Sequence, residues 1–248
     1  MSEKNTDVIK FIRDRKTINS LSFSAIDGSF LTEEYIDSRI CYITVGIVRG
    51  RVVENTFEIN KVAYDVNVME CSSEDEEMTK MEYKQMTNET SDIIFMDRKL
   101  SFDIKRGIVP SNKVVGIVKD FRTSVFFQND RIYLSNIANA PWITSQTTYE
   151  GIKTGFFRLT DITWVFMYQN MTDLEPSQLL YLLSVLGNEP VPEALGYNYP
   201  LFLADKIAKY YLKEGKAILK RENDKIRYRD FRSAVEVQRL VRARNWEA

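Results

Sequence analysis

Apolar residues along this chain follow two periods, one near two and one near 3.6, and the changes between them mark the elements. Val8, Ile9, Phe11 and Ile12 share one side of a helix predicted over residues 6–16. Leu21 to Ile26 predicts a short strand ending at Asp27, and Ile40 to Val48 predicts a buried strand. Gly50 marks a turn, after which Arg51 to Val68 alternates as one or two further strands of a meander. Ser72-Ser73 followed by Glu74-Asp75-Glu76-Glu77 predicts a helix start. Serine caps free amides there, and acids suit the positive end of the helix dipole. That helix runs to about Asn88, with Met78, Met81, Tyr83 and Met86 as its apolar contacts.

Asp92 to Met96 predicts a strand that hands over to Asp97, and Val114 to Val118 another that ends at Lys119. Ser124–Phe127, Gly155–Leu159 and Ile162–Tyr168 are further strand candidates, the aromatic residues from Phe156 to Tyr168 reading as core or dimer contacts. Glu175-Pro176-Ser177 opens a leucine-rich helix that Gly187 ends, with proline in the first turn where no amide is needed. Pro190, Pro192 and Gly196 define a loop before a long helix from Leu201 to about Arg221 and a last one from Asp230 to Asn245. Strands mixed with helices predict one α/β domain over residues 1–248, with helices packed on a central mixed sheet and a helical C-terminal part from about residue 201.

Composition narrows the chemistry. With no histidine, His-based general base catalysis, Ser-His-Asp triads and His-ligated zinc are excluded. The two cysteines, Cys41 and Cys71, are too few for a four-cysteine zinc site, and Cys41 reads as a buried, reduced thiol. No apolar run is long enough for a transmembrane helix and the first residues do not resemble a secretion signal, so a cytoplasmic setting is the expectation. Hydrolytic chemistry must then rest on carboxylates, lysine, tyrosine and a hard metal. Residues 201–248 hold 13 Lys or Arg against 7 Asp or Glu in a chain of net charge −1. This asymmetry fits either solvated amphipathic helices or a face that meets a polyanion.

Asp27 and Asp97 each close an apolar strand, and two such carboxylates meeting in one sheet can hold divalent metal for phosphodiester hydrolysis. A glutamate from the helix before Asp97 would complete the set; Glu82, in Met81-Glu82-Tyr83-Lys84, and Glu77 are the alternatives, each otherwise a solvated helix residue. Lys119 at a strand end would neutralise phosphate charge or simply face solvent. Tyr197 and Tyr199 precede Pro200, where a tyrosine can stack on a base, bond a phosphate or anchor the loop.

Five stations occur in order here: Ile26-Asp27-Gly28-Ser29, the Glu82 helix, Ile93-Ile94-Phe95-Met96-Asp97, the strand before Lys119, and Gly196-Tyr197-Asn198-Tyr199-Pro200-Leu201. The set resembles the NurA family of DNA nucleases, from Ser24 to Ala208. The resemblance implies an RNase H-like fold and a manganese-dependent nuclease, magnesium being the other candidate. It implies 5′–3′ exonuclease and single-strand endonuclease action on single- and double-stranded DNA for end resection in double-strand break repair. It further implies a homodimer working with a HerA-type hexameric ATPase. By the same resemblance Asp27, Glu82 and Asp97 are the metal ligands, with Lys119 and Tyr197 in support.

Two positions depart from the family pattern. Asp205 stands eight residues after Tyr197, where the family has a histidine; an aspartate would still ligate, with a shift toward magnesium. Arg98-Lys99 follows the second aspartate in place of Gly-Ser, and Arg98 would pair with Asp97 or contact phosphate. Lys206, Lys209 and Lys213, at helical spacing, suit a DNA path of salt-dependent phosphate contacts. The same departures motivate an alternative, a weak or non-catalytic adaptor subunit of an ATPase complex. A nuclease of the same fold acting on RNA is a third reading.

Overall fold

A computed structural model of the chain describes residues 10–34, 39–121 and 134–215. The strands among the described residues are β1 (Phe11–Ile12), β2 (Ser20–Glu34), β3 (Arg39–Val53), β4 (Thr56–Glu70), β5 (Ile93–Met96), β6 (Val114–Val118), β7 (Trp142–Thr144), β8 (Thr147–Tyr149), β9 (Ile152–Arg158) and β10 (Phe166–Asn170). They form one sheet in the order β1-β7-β9-β10-β6-β5-β2-β3-β4, with β8 on β9. The two parallel pairings, β2 with β5 and β5 with β6, lie at its centre. The strand expected at Ser124–Phe127, the helix expected from Asp230, and every basic residue beyond 215 lie outside the described residues.

The helices are α1 (Glu74–Asn88), α2 (Leu100–Lys105), α3 (Pro176–Leu186) and α4, residues 199–215. They cover both faces. Phe23, Ala25, Phe95, Val115 and Ile117 pack with the leucines of α3 and with Leu201 and Ala204 of α4. Ile26, Ile94 and Met96, the alternate residues of the same strands, pack with Met81, Tyr83 and Met86 of α1 and Leu100 of α2. This is the period-two alternation of strands buried on both sides.

Several expectations change. Gly50 marks no turn: β3 runs through it to Val53 with a register shift between Arg49 and Gly50, and the turn comes after Val53. The strand expected over Ile162–Tyr168 is β10, Phe166–Asn170, its register set by pairing with β6 and β9. Strand β2 does not stop at Asp27 but continues to Glu34, because its partner there is β3 and the antiparallel register holds from Ser20↔Val53 to Glu34↔Arg39. Ladder bonds sustain a segment whose own composition, with Ser29, Thr32 and Glu33, gives no strand signal. The helix expected over 6–16 is absent in its described part: Phe11 and Ile12 pair with Thr144 and Ile143, and the Phe11 ring meets Trp142 edge to face at 5.4 Å. Tertiary pairing overrides a helical period here. Cys41, expected as a free thiol, is paired with Cys71, their Cα atoms 5.8 Å apart. The cause is the β3–β4 register, which continues past Glu70 so that the Cys71 amide bonds the Arg39 carbonyl. That pairing withdraws cysteine usage as an argument about compartment. Among the described residues, no helix is long and apolar enough to cross a membrane.

Two glycines let the helices approach the sheet. A methyl group on Gly46, which pairs with Asp27, would lie 2.1 Å from the Ala204 carbonyl oxygen of α4. A methyl on Gly28 would lie 2.5 Å from Glu82 Oε1 of α1. Both helices therefore cross the sheet beside Asp27, where only glycine leaves them room. The far end of α1 is fixed by Glu89, which accepts from Arg49 Nε at 2.9 Å and from the Ser24 hydroxyl at 2.5 Å.

Candidate active site

The last pair in the β2–β5 register is Ile26↔Met96, so Asp27 and Asp97 are the first residues past it on neighbouring parallel strands. Lys119 follows the last residue of β6, the next strand over. All three lie just beyond the β2–β5 pairing or at the carboxyl ends of β5 and β6, where open α/β sheets place their ligand sites. From one face α1 brings Glu82 against Gly28, and from the other α4 brings Asp205. Tyr197 arrives from the turn before α4, its ring 5.2 Å from that of Phe166. Gly196 permits that turn: it has φ +67°, and a methyl there would strike the Thr163 side chain at 2.6 Å.

Charge couples these groups. Asp27 is buried, and burial together with the Asp97 and Glu82 carboxylates pushes its pKa well above the usual range; Asp205 acts in the same direction, and Lys119 opposes it. Lys119 forms an ion pair with Asp97 and lies over the Tyr197 ring, 4.7 Å from its centre. Burial lowers the Lys119 pKa, but the pair with Asp97 outweighs it and the net shift is upward. The buried Tyr197 hydroxyl makes no hydrogen bond of good geometry, although it lies close enough to Asp97 to interact with it. Burial, Asp97 and Asp27 raise its pKa well above the usual value, so at neutral pH it keeps its proton and is a donor.

Glu82 is 2% exposed and Arg98 Nη1 donates to it at 2.7 Å. Burial raises its pKa to about 7 although Arg98 opposes the rise. Its folded-state pKa thus exceeds the unfolded value, so the folded protein holds the proton longer and the metal-free protein loses stability as pH rises from about 4.5 to about 7. The full effect is on the order of 3 kcal/mol for Glu82 alone. Thermal melts in EDTA are expected to give a lower Tm at pH 7.5 than at pH 5.5, and added divalent cation to raise it at pH 7.5. A Tm flat or rising over that interval would mean that Glu82 is ionised throughout.

The structure thus brings Asp27, Glu82, Asp97, Lys119, Tyr197 and Asp205 together. Glu77 is instead paired with Lys80, outside the set that acts on Asp27. Arg98 turns away from Asp97: its guanidinium donates to Glu82, to both Asp103 oxygens at 2.8 and 3.0 Å, and to Thr79 at 2.7 Å. Lys209 is paired with Asp205 at 2.7 Å, Lys206 lies over the Phe202 ring at 4.9 Å, and Lys213 is exposed on α4. Sequence reasoning missed Asp103 and Thr79 as partners of Arg98, and nothing in their local pattern signals that role. It also missed Gly46, for which a glycine interrupting Val45-Gly46-Ile47 was an available signal.

Compared with known proteins, residues 21–210 match the NurA domain family model. The chain belongs to the NurA family. The NurA nuclease from Sulfolobus solfataricus superposes with a TM-score of 0.58 at 14% identity, covering 85% of this chain and 86% of that one. The catalytic domain of human Endonuclease V follows at a TM-score of 0.50 and 9% identity, over 83% and 92% of the two chains. A Ciona intestinalis Endonuclease V in complex with a 23mer DNA containing an inosine gives 0.50 and 9%, over 79% and 86%. No curated protein sequence matches. At these identities the structural likeness speaks for the fold, which is RNase H-like: a mixed sheet flanked by helices. Family membership makes this NurA protein a nuclease and implies a divalent metal.

The donor set suits such an ion. Four carboxylates act on this site, with Lys119 on Asp97, Lys209 on Asp205 and Arg98 on Glu82, an all-oxygen donor set of the kind that hard divalent cations favour. The buried Tyr197 hydroxyl beside them, without a well-formed hydrogen bond, is the kind of group that a bound substrate oxygen or ordered water satisfies. Among the described residues, the one group of three or more ligand atoms within 4.8 Å of one another is elsewhere, at Cys41, Cys71 and Glu74, so no three of the four site carboxylates lie that close together. In that cysteine group the sulfurs are joined to each other and Glu74 pairs with Arg39 at 2.9 Å.

Proposed function

We propose that this NurA-family protein hydrolyses DNA phosphodiesters with manganese, or magnesium, held by Asp27, Glu82, Asp97 and Asp205. The supporting observation is that one site combines these four carboxylates with Lys119 and Tyr197. When bound, the metal supplies Lewis acidity and an activated water. The chain's residues do the rest. Asp27 and Asp97, fixed on adjacent strands, would hold that ion beside the phosphoryl group. Lys119, moving between Asp97 and a phosphate oxygen, offsets charge that builds on the phosphoryl group. Tyr197, kept protonated, donates a hydrogen bond to the same group or to the leaving oxygen.

Asp205 replaces a family histidine with a harder ligand, which supports magnesium as an effective metal beside manganese. The biological setting we propose is that of the family: 5′–3′ exonuclease and single-strand endonuclease action in DNA end resection, by a homodimer driven by a HerA-type ATPase. Lys206 and Lys213 on α4 supply a sequence-independent phosphate path. The test is cleavage of end-labelled single- and double-stranded DNA, with matched RNA, in manganese, magnesium or EDTA. Metal-dependent DNA cutting with a 5′–3′ product ladder is expected. Preferential RNA cutting would replace the substrate. No cutting by folded protein in any metal would leave the adaptor reading.

A further inference from the structure

Strand β4 ends the sheet, and among the described residues nothing pairs with its outer edge. An edge of 15 residues offers a row of amides and carbonyls to any strand that meets it. Proteins that keep such an edge single shorten it, place proline on it or load it with lysine. β4 is long, has no proline and one lysine, and carries Val62, Tyr64 and Val68 at 51%, 48% and 47% exposure. These three share the face that α4 crosses. The Tyr64 ring stacks on Tyr211 of α4, centroids 3.5 Å apart. Beside them is a groove of about 660 Å³ whose lining includes Val62, Tyr64, Ile207 and Tyr210.

The charges of β4 are placed symmetrically about its midpoint. Ala63 is the middle residue of Thr56–Glu70, with Lys61 two before it and Asp65 two after. At ~3.4 Å per residue the two charges stand about 13 Å apart along the strand, too far to pair within one chain. An antiparallel second copy of β4, related by a twofold axis at Ala63, sets Lys61 of each copy opposite Asp65 of the other. It also sets each Val62 opposite Tyr64. Residues directly opposite in an antiparallel pair share a face, so one face gains two ion pairs and the other two apolar pairs. Asn60 has no partner on β3 and is the extra residue of a bulge. Past it the same register brings Ile59 opposite Val66 and Phe57 opposite Val68, apolar on apolar. One residue thus centres the full overlap of the strands, the charge pairs and the apolar pairs, which is the self-complementarity a twofold interface requires.

We propose that β4 of one copy pairs with β4 of a second about a twofold axis at Ala63, joining the two sheets into one. This rests on the homodimer in the reading above and gives it an interface. α4 runs over β3, where Gly46 faces Ala204 and Tyr42 faces Gly215. The two α4 helices would therefore lie about three strand spacings apart, ~14 Å, a gap that Ile207 and Tyr210 of both copies would fill.

The test uses the full chain. Sedimentation velocity over a range of concentrations is expected to show a dimer for wild type. Lys61→Asp sets like charges at both contacts and should raise the dimer Kd roughly 10-fold or more, and Asp65→Lys likewise. The double exchange Lys61→Asp with Asp65→Lys restores both pairs and should recover most of the loss, which misfolding would not do. Ala63→Cys should give a covalent dimer under mild oxidation, because directly opposed residues have Cα atoms ~4.5–5.5 Å apart, within disulfide range. Val68→Cys should not, its two copies lying roughly 30 Å apart in this register. Cys41 and Cys71 are joined to each other and do not compete. A dimer that ignores both charge reversals and fails to cross-link through Ala63→Cys would keep the homodimer and overturn β4 as its interface. A wild type that is monomeric at every concentration would overturn both. β4 amides protected from hydrogen exchange in that monomer would assign the edge to the chain's own residues beyond 215. The nuclease reading is decided separately, by the cleavage assay.

Discussion

Replacing Asp27 with asparagine is expected to lower DNA cleavage by about 10³-fold or more while raising the thermal stability of the metal-free protein. The first effect follows from the central place of Asp27 in the proposed site: it is buried and lies within electrostatic reach of Asp97, Glu82, Asp205 and Lys119. Losing a group that holds the metal forfeits several kcal/mol of charge stabilisation, and each 1.36 kcal/mol is a factor of ten in rate. The second effect follows from the same crowding. A carboxylate whose pKa is raised by burial and by like charges destabilises the folded state at neutral pH. An amide of the same shape removes that repulsion, a trade of stability against activity common at reaction centres. Cleavage and melting measured together at pH 7.5, with and without manganese, separate this account from simple misfolding. Manganese should raise the Tm of wild type and leave that of Asp27→Asn nearly unchanged. A variant that cuts at the wild-type rate, or one that melts lower in EDTA, would remove Asp27 from the role.

The placement of Asp27, Asp97 and Lys119 was legible in the chain because each borders an apolar β-branched run, and such runs in parallel strands end on one edge of a sheet. Tyr197 and Asp205 were legible only through the ordered resemblance, since nothing local in either segment points to the sheet. The helix carrying Glu82 could be read from its serine cap and acidic first turn, but the choice of Glu82 over Glu77 needed the crossing at Gly28. What stayed hidden depends on partners distant in sequence. The length of β2 comes from β3, the strand at Phe11 from β7, and the Cys41–Cys71 pairing from a register two strands over. The exposure of Trp164 was hidden as well, because a Phe-Trp-Tyr-rich segment reads as core whichever side the loop turns.

Arg98 shows how one departure from the family pattern acts through another residue. Sequence reasoning had it beside Asp97 or on phosphate, whereas its guanidinium closes a buried network of Glu82, Asp103 and Thr79 and is 10% exposed. Tyr83 donates to the same Asp103 at 2.9 Å, so α1, α2 and the turn after β5 are tied at one point. Removing the cation by Arg98→Met leaves two buried carboxylates without a counter-charge, Asp103 keeping only the Tyr83 hydroxyl, a change that costs about 3–5 kcal/mol. For a chain of this size the Tm should fall by roughly 6–20 °C.

The consequence for activity runs through protonation. Glu82 titrates near 7 with Arg98 opposing a further rise, so without Arg98 its pKa climbs and the carboxyl is neutral at pH 7. A neutral carboxyl is a poor ligand. Cleavage by Arg98→Met should therefore fall ~10–100-fold at pH 7, as for lost outer partners of metal ligands. It should recover in part as pH is raised to 9, the acid limb of its pH–rate profile lying above that of wild type. Arg98→Lys keeps the charge but not the fork that serves three acceptors at once, and should sit between the two in Tm and in limb position. Stability loss alone would lower the whole profile without moving the limb. An Arg98→Met protein with the wild-type Tm and an unmoved acid limb would show that Glu82 owes neither its position nor its charge to Arg98.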